Sequence, residues 1–400
     1  MHYTLLFVPM QGGGMEIIMK LLFTGDINFR GIENLDYGKS SKILNDVIPY
    51  IKSVDFVIPN LECPLGNEED YMPIKKAGPN LICSKNYISF LKVMNTYAVT
   101  LANNHIGDYG DRALHNTLKI LDENNIKYAG AGNNISEAYS AIRISKEGIT
   151  ISLLSVCENE FGVAEENKAG SAGYNPRLLM NKIQAEKNVS DFIIVVFHGG
   201  NEYNPLPSPD TVERYRFICD MGADAVIAGH THCPQGYETY NGKPIIYSMG
   251  NFLFRNTEKT DNKDSWYYGY FTILDINMSK ISFDIVPYKF DIPGTKITVF
   301  DGKDKVEMNR YIDNLSEIIQ NPSELKQYFK GWSLNHIWIP QLPENIYNLT
   351  DYNASGNYDL LKCEAHLSQA KQIFEILFND EIDNTKTWQK KISELQKMPV

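Results

Sequence analysis

The run Asp191-Phe192-Ile193-Ile194-Val195-Val196-Phe197 constrains the fold more than any other stretch of this chain. It is almost uniformly apolar and shows no alternation, so it reads as a strand buried on both faces, as in the interior of an α/β sheet. Shorter apolar runs at 21–24, 55–60, 97–101, 224–228 and 244–248 read the same way. Between them lie helical spacings at 42–51, 86–94, 111–123 and 210–221. Pro49 is expected to kink or end the first of these. Two hairpins are expected, one turning at Lys146-Glu147-Gly148 and one closing the domain with 267–276 and 281–288.

This alternation predicts an α/β domain over 19–290. Residues 1–18 are expected to be disordered or to follow a misassigned start, with Met15 or Met19 as the natural one. Residues 291–400 are expected to form a mainly helical extension packed on the domain, with helices over 361–378 and 384–397. Its aromatics Trp332, Trp338 and Tyr347 read as core packing, or else as a cover over the site. The chain of 400 residues is 43% hydrophobic, as in ordinary globular proteins, and its net charge of −11 argues against a nucleic-acid partner. The cysteines are widely spaced, with no CxxC knuckle, and are expected as buried free thiols. No run is long enough to span the ~30 Å of membrane hydrocarbon, and no signal peptide is recognisable. A cytoplasmic, soluble protein is the expectation.

The polar residues show a second regularity. Strand after strand ends in a group able to bind metal or to hydrogen-bond: Asp26, Glu62, Asn104-His105, His198, then His230 and His232. Ligands of α/β folds gather at the carboxyl ends of strands, so these groups can converge. In an extended segment His230 and His232 face one side, within reach of one cluster. The mixed oxygen and nitrogen set suits Mn, Fe or Zn rather than Ca. Six ligands exceed one tetrahedral ion and suit two ions sharing a carboxylate.

The order of these motifs resembles that of the calcineurin-like metallophosphoesterases. It is closer still to the branch of bacterial capsule-synthesis proteins of the CapA type, linked with poly-gamma-glutamate. The residues carrying the resemblance are Phe23-Thr24-Gly25-Asp26, Asn60-Leu61-Glu62-Cys63-Pro64-Leu65, Ala102-Asn103-Asn104-His105, His198-Gly199, Glu202-Tyr203, Gly229-His230-Thr231-His232 and Gly250-Asn251-Phe252, all within about 20–290. The resemblance implies two packed mixed β-sheets flanked by helices, a four-layer sandwich. It implies that Asp26 and His232 hold one divalent metal ion, that Asn104, His198 and His230 hold a second, and that Glu62 bridges. His105 is implied as proton donor or transition-state stabiliser. Asn28 stands where the wider superfamily has histidine and is at most a weak ligand, which leaves a mononuclear site open. Lys76 in its Lys-Ala-Gly-Pro loop, Glu202, Tyr203, Asn251 and Arg255 are the candidates for substrate contact.

Such a site implies a metal-dependent hydrolase. Its metal-activated hydroxide would attack a phosphoester, or a γ-glutamyl amide, of an anionic polymer or smaller anionic substrate. The alternative is a non-catalytic, metal-bearing component that binds or assembles with capsule-synthesis or export partners.

Overall fold

The computed structural model describes residues 18–32, 35–337 and 351–400, the last stretch with side chains from Ala354. The expectation for the first 18 residues falls almost wholly outside the described residues, as do Trp338 and Tyr347.

Two mixed sheets form the centre. The eight-stranded sheet runs Ile297–Val299, Lys280–Phe290, Tyr268–Asn277, Met19–Asn28, Phe56–Leu61, Ala98–Thr100, Lys127–Ala129, and Asn251–Phe254 pairs with the end of Met19–Asn28. The six-stranded sheet runs Tyr237–Tyr240, Lys243–Ile246, Ala225–Gly229, Phe192–His198, Ile149–Cys157, Ile142–Lys146. The smaller sheet is parallel in the middle and antiparallel at both edges, whereas the larger is parallel from Met19–Asn28 out to Lys127–Ala129 and antiparallel on its other side.

The sequence dictates this layering through the two-residue period of a strand. Leu21, Phe23, Ile58, Ile151, Leu153, Ile194, Val196 and Ile227 share one core between the sheets. Their neighbours turn outward. Leu22 and Val57 join a core under Leu114, Leu118 and Leu121 of helix Gly110–Glu123. Leu154, Ile193, Val195 and Val226 join a core under helices Pro176–Glu186 and Pro209–Met221. A strand such as Phe192–His198 is apolar at every position because both its faces are covered. The result is two packed mixed sheets flanked by helices.

Three local expectations need correction. The helix expected over 42–51 is two pieces, Tyr37–Ile43 and Ile48–Ile51, and Pro49 sits in the first turn of the second, where its missing N–H costs nothing. The helix expected over 361–378 breaks at Cys363 into Asp351–Lys362 and Glu364–Phe378. Strand Ile297–Val299 extends the larger sheet beyond residue 290. Beyond it, helices Gly302–Ile319 and Pro322–Asn335 bury Leu315, Ile319, Leu325, Phe329 and Trp332 on the outer core of the smaller sheet. Helix Ile382–Leu395 packs beside them through Ile392. All six cysteines are buried free thiols. Among the described residues, no helix is long and apolar enough to cross a membrane.

Candidate metal centre

The parallel strands deliver their carboxyl ends to one place. Asp26 lies at a bulge of the first strand, whose N–H bonds the Gly250 carbonyl at 3.1 Å. This approach requires glycine at position 25, since a Cβ there would lie 1.8 Å from the Gly250 oxygen. Glu62 continues the next strand by donating its N–H to Ile27. After the third strand, the Asn103 side chain accepts from the N–H groups of His105 and Ile106, folding the turn that presents Asn104 and His105. His198 ends its strand. His230 and His232 follow Gly229 with φ of 98° and 57°, left-handed conformations that non-glycine residues adopt at a cost.

All seven of these side chains, His105 among them, are buried. Asp26 accepts from Asn60 Nδ2 at 2.7 Å and from the His230 N–H at 2.9 Å. His198 Nε2 lies 3.1 Å from Asn104 Oδ1, 3.1 Å from His230 Nδ1 and 3.6 Å from Glu62 Oε1. His232 Nε2 and His105 Nε2 each lie 4.0 Å from Glu62 Oε1. Glu62 is completely buried, and among the described residues neither carboxylate oxygen has a hydrogen-bond partner. A buried carboxylate left without partners costs several kcal/mol in water-exchange terms, roughly, unless a cation compensates it.

Ligand atoms converge in two overlapping sets, Glu62 with His198 and His230, and Asp26 with Glu62 and His232, each within 4.8 Å. These buried His, Glu and Asp groups are compatible with a metal site, and Glu62 is common to both sets. Electrostatics agrees. Burial, then the neighbouring Glu62, raises Asp26 to about 7. Burial, then Glu202 and Asp108, raises Glu62 well above the usual carboxylate range. Burial lowers His198 and takes His232 down to about 3 against its Asn251 hydrogen bond. The imidazoles are thus held neutral, the form that ligates metal, while the carboxylates resist charge in the absence of a cation.

His105 stands at the edge of this cluster. Its Nδ1 lies 2.6 Å from Asp108 Oδ2 and 3.2 Å from Lys76 Nζ, and Lys76 pairs with Asp108 at 2.5 Å. Burial, then Lys76, lowers His105 to about 4. The short contact to Asp108 places the ring proton on Nδ1 and leaves the Nε2 lone pair toward Glu62.

Three of the residues expected at the site do other work. Asn28 donates to the Glu62 carbonyl at 3.0 Å, while its oxygen accepts from the Arg30 N–H at 2.9 Å and takes a Cys83 thiol contact. It fixes the backbone of Glu62 and has no oxygen to offer a metal. Asn251 is fully buried, with Oδ1 2.9 Å from His232 Nδ1 and Nδ2 on the Trp266 carbonyl, so it orients His232 rather than touching substrate. Arg255 bonds the Gly31 carbonyl and does not line the cavity described next.

Lys76, Glu202 and Tyr203 do line that cavity, of about 360 Å³, which opens over Asn104 and His105. Sequence reasoning missed four of the site's groups. Asn60 joins Asp26, His198 and Thr100. Asp108 lies three residues past His105 in the turn leading to a helix. Glu160 follows the strand Ile149–Cys157 and accepts from Asn104 Nδ2 at 3.1 Å, so the strand-end rule applied once more would have found it. The fourth group is the far wall, built by the tail. There Asp359 and His366 face each other at 2.9 Å beside Trp332. Asn159 holds that wall in place by donating through N and Nδ2 to Glu364, at 2.9 and 2.6 Å.

The family model described as Bacterial capsule synthesis protein PGA_cap matches residues 20–256. The chain belongs to that family. The PGA biosynthesis protein CapA of Bacillus subtilis is 30% identical over 266 residues, 63% of this chain and 70% of its own length. The Capsule biosynthesis protein CapA of Bacillus anthracis is 30% identical over 231 residues, 56% of each chain. Solved structures similar in shape include a novel phosphatase from Mycoplasma pneumoniae, at 14% identity and TM-score 0.45 over 70% of this chain and 97% of that one. A hypothetical protein from Thermus thermophilus follows at 14% and 0.43, over 68% and 99%. Every candidate ligand of this PGA_cap member falls inside the matched residues, whereas Asp359 and His366 fall outside them.

Proposed function

We propose that this PGA_cap protein is a metal-dependent hydrolase acting in capsule synthesis on a phosphoester, or a γ-glutamyl amide, of an anionic substrate. The observation that carries the reading is Glu62, a buried carboxylate with both oxygens unpartnered, shared by two sets of ligand atoms. Asp26 and His232 would hold one ion, Asn104, His198 and His230 the other, with Glu62 between them. When bound, divalent ions supply a hydroxide nucleophile near neutral pH and neutralise charge on the group under attack.

The chain's own residues do the rest. Asn60 and Asn251 fix Asp26 and His232 from behind, as outer partners of metal ligands do. His105 keeps its proton on Nδ1 against Asp108, and its bare Nε2 takes up a proton released at the site and passes it to the leaving oxygen or nitrogen. Lys76 holds Asp108 in place and brings a positive charge to the mouth. The relatives' names place those proteins in capsule and PGA biosynthesis, and we take the same context for this chain.

The test is elemental analysis of protein purified without chelator, with His232→Ala as control, and release of nitrophenol from p-nitrophenyl phosphate with Mn²⁺. About one to two ions per chain, fewer in the variant, with Mn²⁺-dependent turnover, is the expected result. Retained metal without turnover on phosphoesters or γ-glutamyl amides favours the assembly component instead. No metal after Mn²⁺ supplementation overturns both.

A further inference from the structure

The cavity over the metal centre has two walls of opposite chemistry. On the Lys76 side, charge is balanced, because Lys76 is paired with Asp108. Among the described residues, the opposite wall carries three carboxyl groups, Glu160, Glu202 and Asp359, against one imidazole paired with Asp359, His366. Glu202 has no ion-pair partner among the described residues.

Two oxygen acceptors on this wall are buried and unused. Asn201 is 2% exposed and lines the cavity. Its Nδ2 is committed to the Ala365 carbonyl at 3.1 Å, and its Oδ1 has no partner among the described residues. Asp359 is 4% exposed, its Oδ2 faces His366, and its Oδ1 likewise has no partner among the described residues. Burying acceptors without donors is costly, and native structures rarely do it without a reason. A ligand bringing hydrogen-bond donors and positive charge would satisfy both atoms.

We propose that this wall binds a primary ammonium group of the substrate, so that the site takes a zwitterionic molecule, with its anionic group at the metals and its amine at Asp359, Asn201 and Glu202. An ammonium carries three donors and no acceptor, which matches a wall of acceptors. A purely anionic ligand would meet repulsion there. The proposal rests on the metal-site reading above and adds the amine to it. Asn201 and Glu202 lie inside the stretch matching the family, whereas Asp359 and the Ala365 carbonyl that orients Asn201 lie outside it, so amine selection is shared between the domain and the tail.

The probes are 3-aminopropylphosphonate and n-butylphosphonate, alike in size and differing in the ammonium group. Neither has an ester to hydrolyse, so binding is read independently of turnover. Calorimetry on the full chain loaded with Mn²⁺ is expected to show the amine binding tighter by about tenfold or more, as for hydrogen bonds to charged groups. In Asp359→Asn and in Glu202→Gln that ratio is expected to fall toward one. If Asp359→Asn does not fold, Glu202→Gln, which lies on a loop apart from the tail helices, carries the test.

Equal affinities for the two phosphonates overturn the proposal, as does a ratio that survives in both variants or failure of both ligands to bind. A third Mn²⁺ per chain that Asp359→Asn removes also overturns it, since the wall would then be a metal site. An intact amine preference with no phosphoester or amide turnover breaks the hydrolase reading alone.

Discussion

The outer face of the smaller sheet and the mouth between the two sheets both bury glutamates, and they treat them in opposite ways. On the outer face, Glu238 takes two hydrogen bonds from Arg216, at 2.9 and 2.8 Å, and one from Tyr247. The charge of Glu238 is thus answered by the chain itself. At the mouth, Glu62 is buried just as deeply and is answered by nothing among the described residues. Burial alone therefore does not mark a functional residue here. A carboxylate buried with both oxygens unpartnered is the sharper mark, because leaving such a charge unanswered costs a fold far more than an unpaired hydroxyl or amide.

The largest expected effect comes from removing the unanswered charge. Glu62→Gln is expected to strip metal from the protein and to lower turnover on the order of 10³-fold, the weight of several kcal/mol of metal-ion stabilisation. Once both are chelated, the variant is expected to melt close to the parent, since burial already favours the protonated, uncharged form of Glu62. Elemental analysis and melting curves read both halves of this expectation. Full metal content in Glu62→Gln would break the contrast with Glu238.

His105→Ala is expected to keep its metal and lose about 10²–10⁴ in kcat, the usual worth of a positioned proton donor. Unchanged kcat in a metal-replete sample would remove His105 from the reaction.

Arg216→Met tests the other side of the comparison. It leaves Glu238 buried and unpaired, and is expected to cost about 3 kcal/mol of stability in denaturant unfolding, with metal content unchanged. A stable Arg216→Met protein would mean that this fold tolerates unpaired glutamates generally.

Metal removal is a milder perturbation. Chelation is expected to cost about 2.7 kcal/mol relative to metal at a hundred times its dissociation constant. The pH dependence has a definite sign. Asp26, raised from 3.8 to about 7 by burial, favours the chelated fold at low pH, and that contribution is lost as pH rises between those values. Mn²⁺ uptake at pH 6 is therefore expected to release protons, seen as a calorimetric enthalpy that changes with the buffer. Proton release that is absent at pH 6 would place Asp26 outside the ligand set.

The smallest expected effect is that of Asn28→Ala, about 1–3 kcal/mol for the buried bonds it loses, read by denaturant unfolding.

Much of the site was legible because each ligand candidate ends an apolar run, and an apolar run of five or six residues in an α/β chain has few other readings. Asn28, Asn251 and Arg255 were misplaced for a physical reason. Nearness to a motif along the chain sets where a backbone runs, whereas a side chain points to whichever partner completes its hydrogen bonds. The three found theirs at the Glu62 backbone, the His232 ring and the Gly31 carbonyl. Asp359 and His366 were illegible for another reason. They sit on helices whose polar positions all look alike in sequence, and tertiary docking, of Glu364 on Asn159, Lys362 on Glu160 and Ala365 on Asn201, turns those two toward the cavity.

That wall comes late in the chain, more than a hundred residues after His232, the last of the candidate ligands. At ribosomal speeds of roughly 5–20 residues per second, the strand ends are synthesised on the order of ten seconds before Asp359 and His366 exist. Until the tail has been made, the cavity over Asn104 and His105 lacks the wall that Trp332, Asp359 and His366 build. On the reading proposed above, the order of synthesis would let the site take up its metal before the wall that selects the substrate is in place.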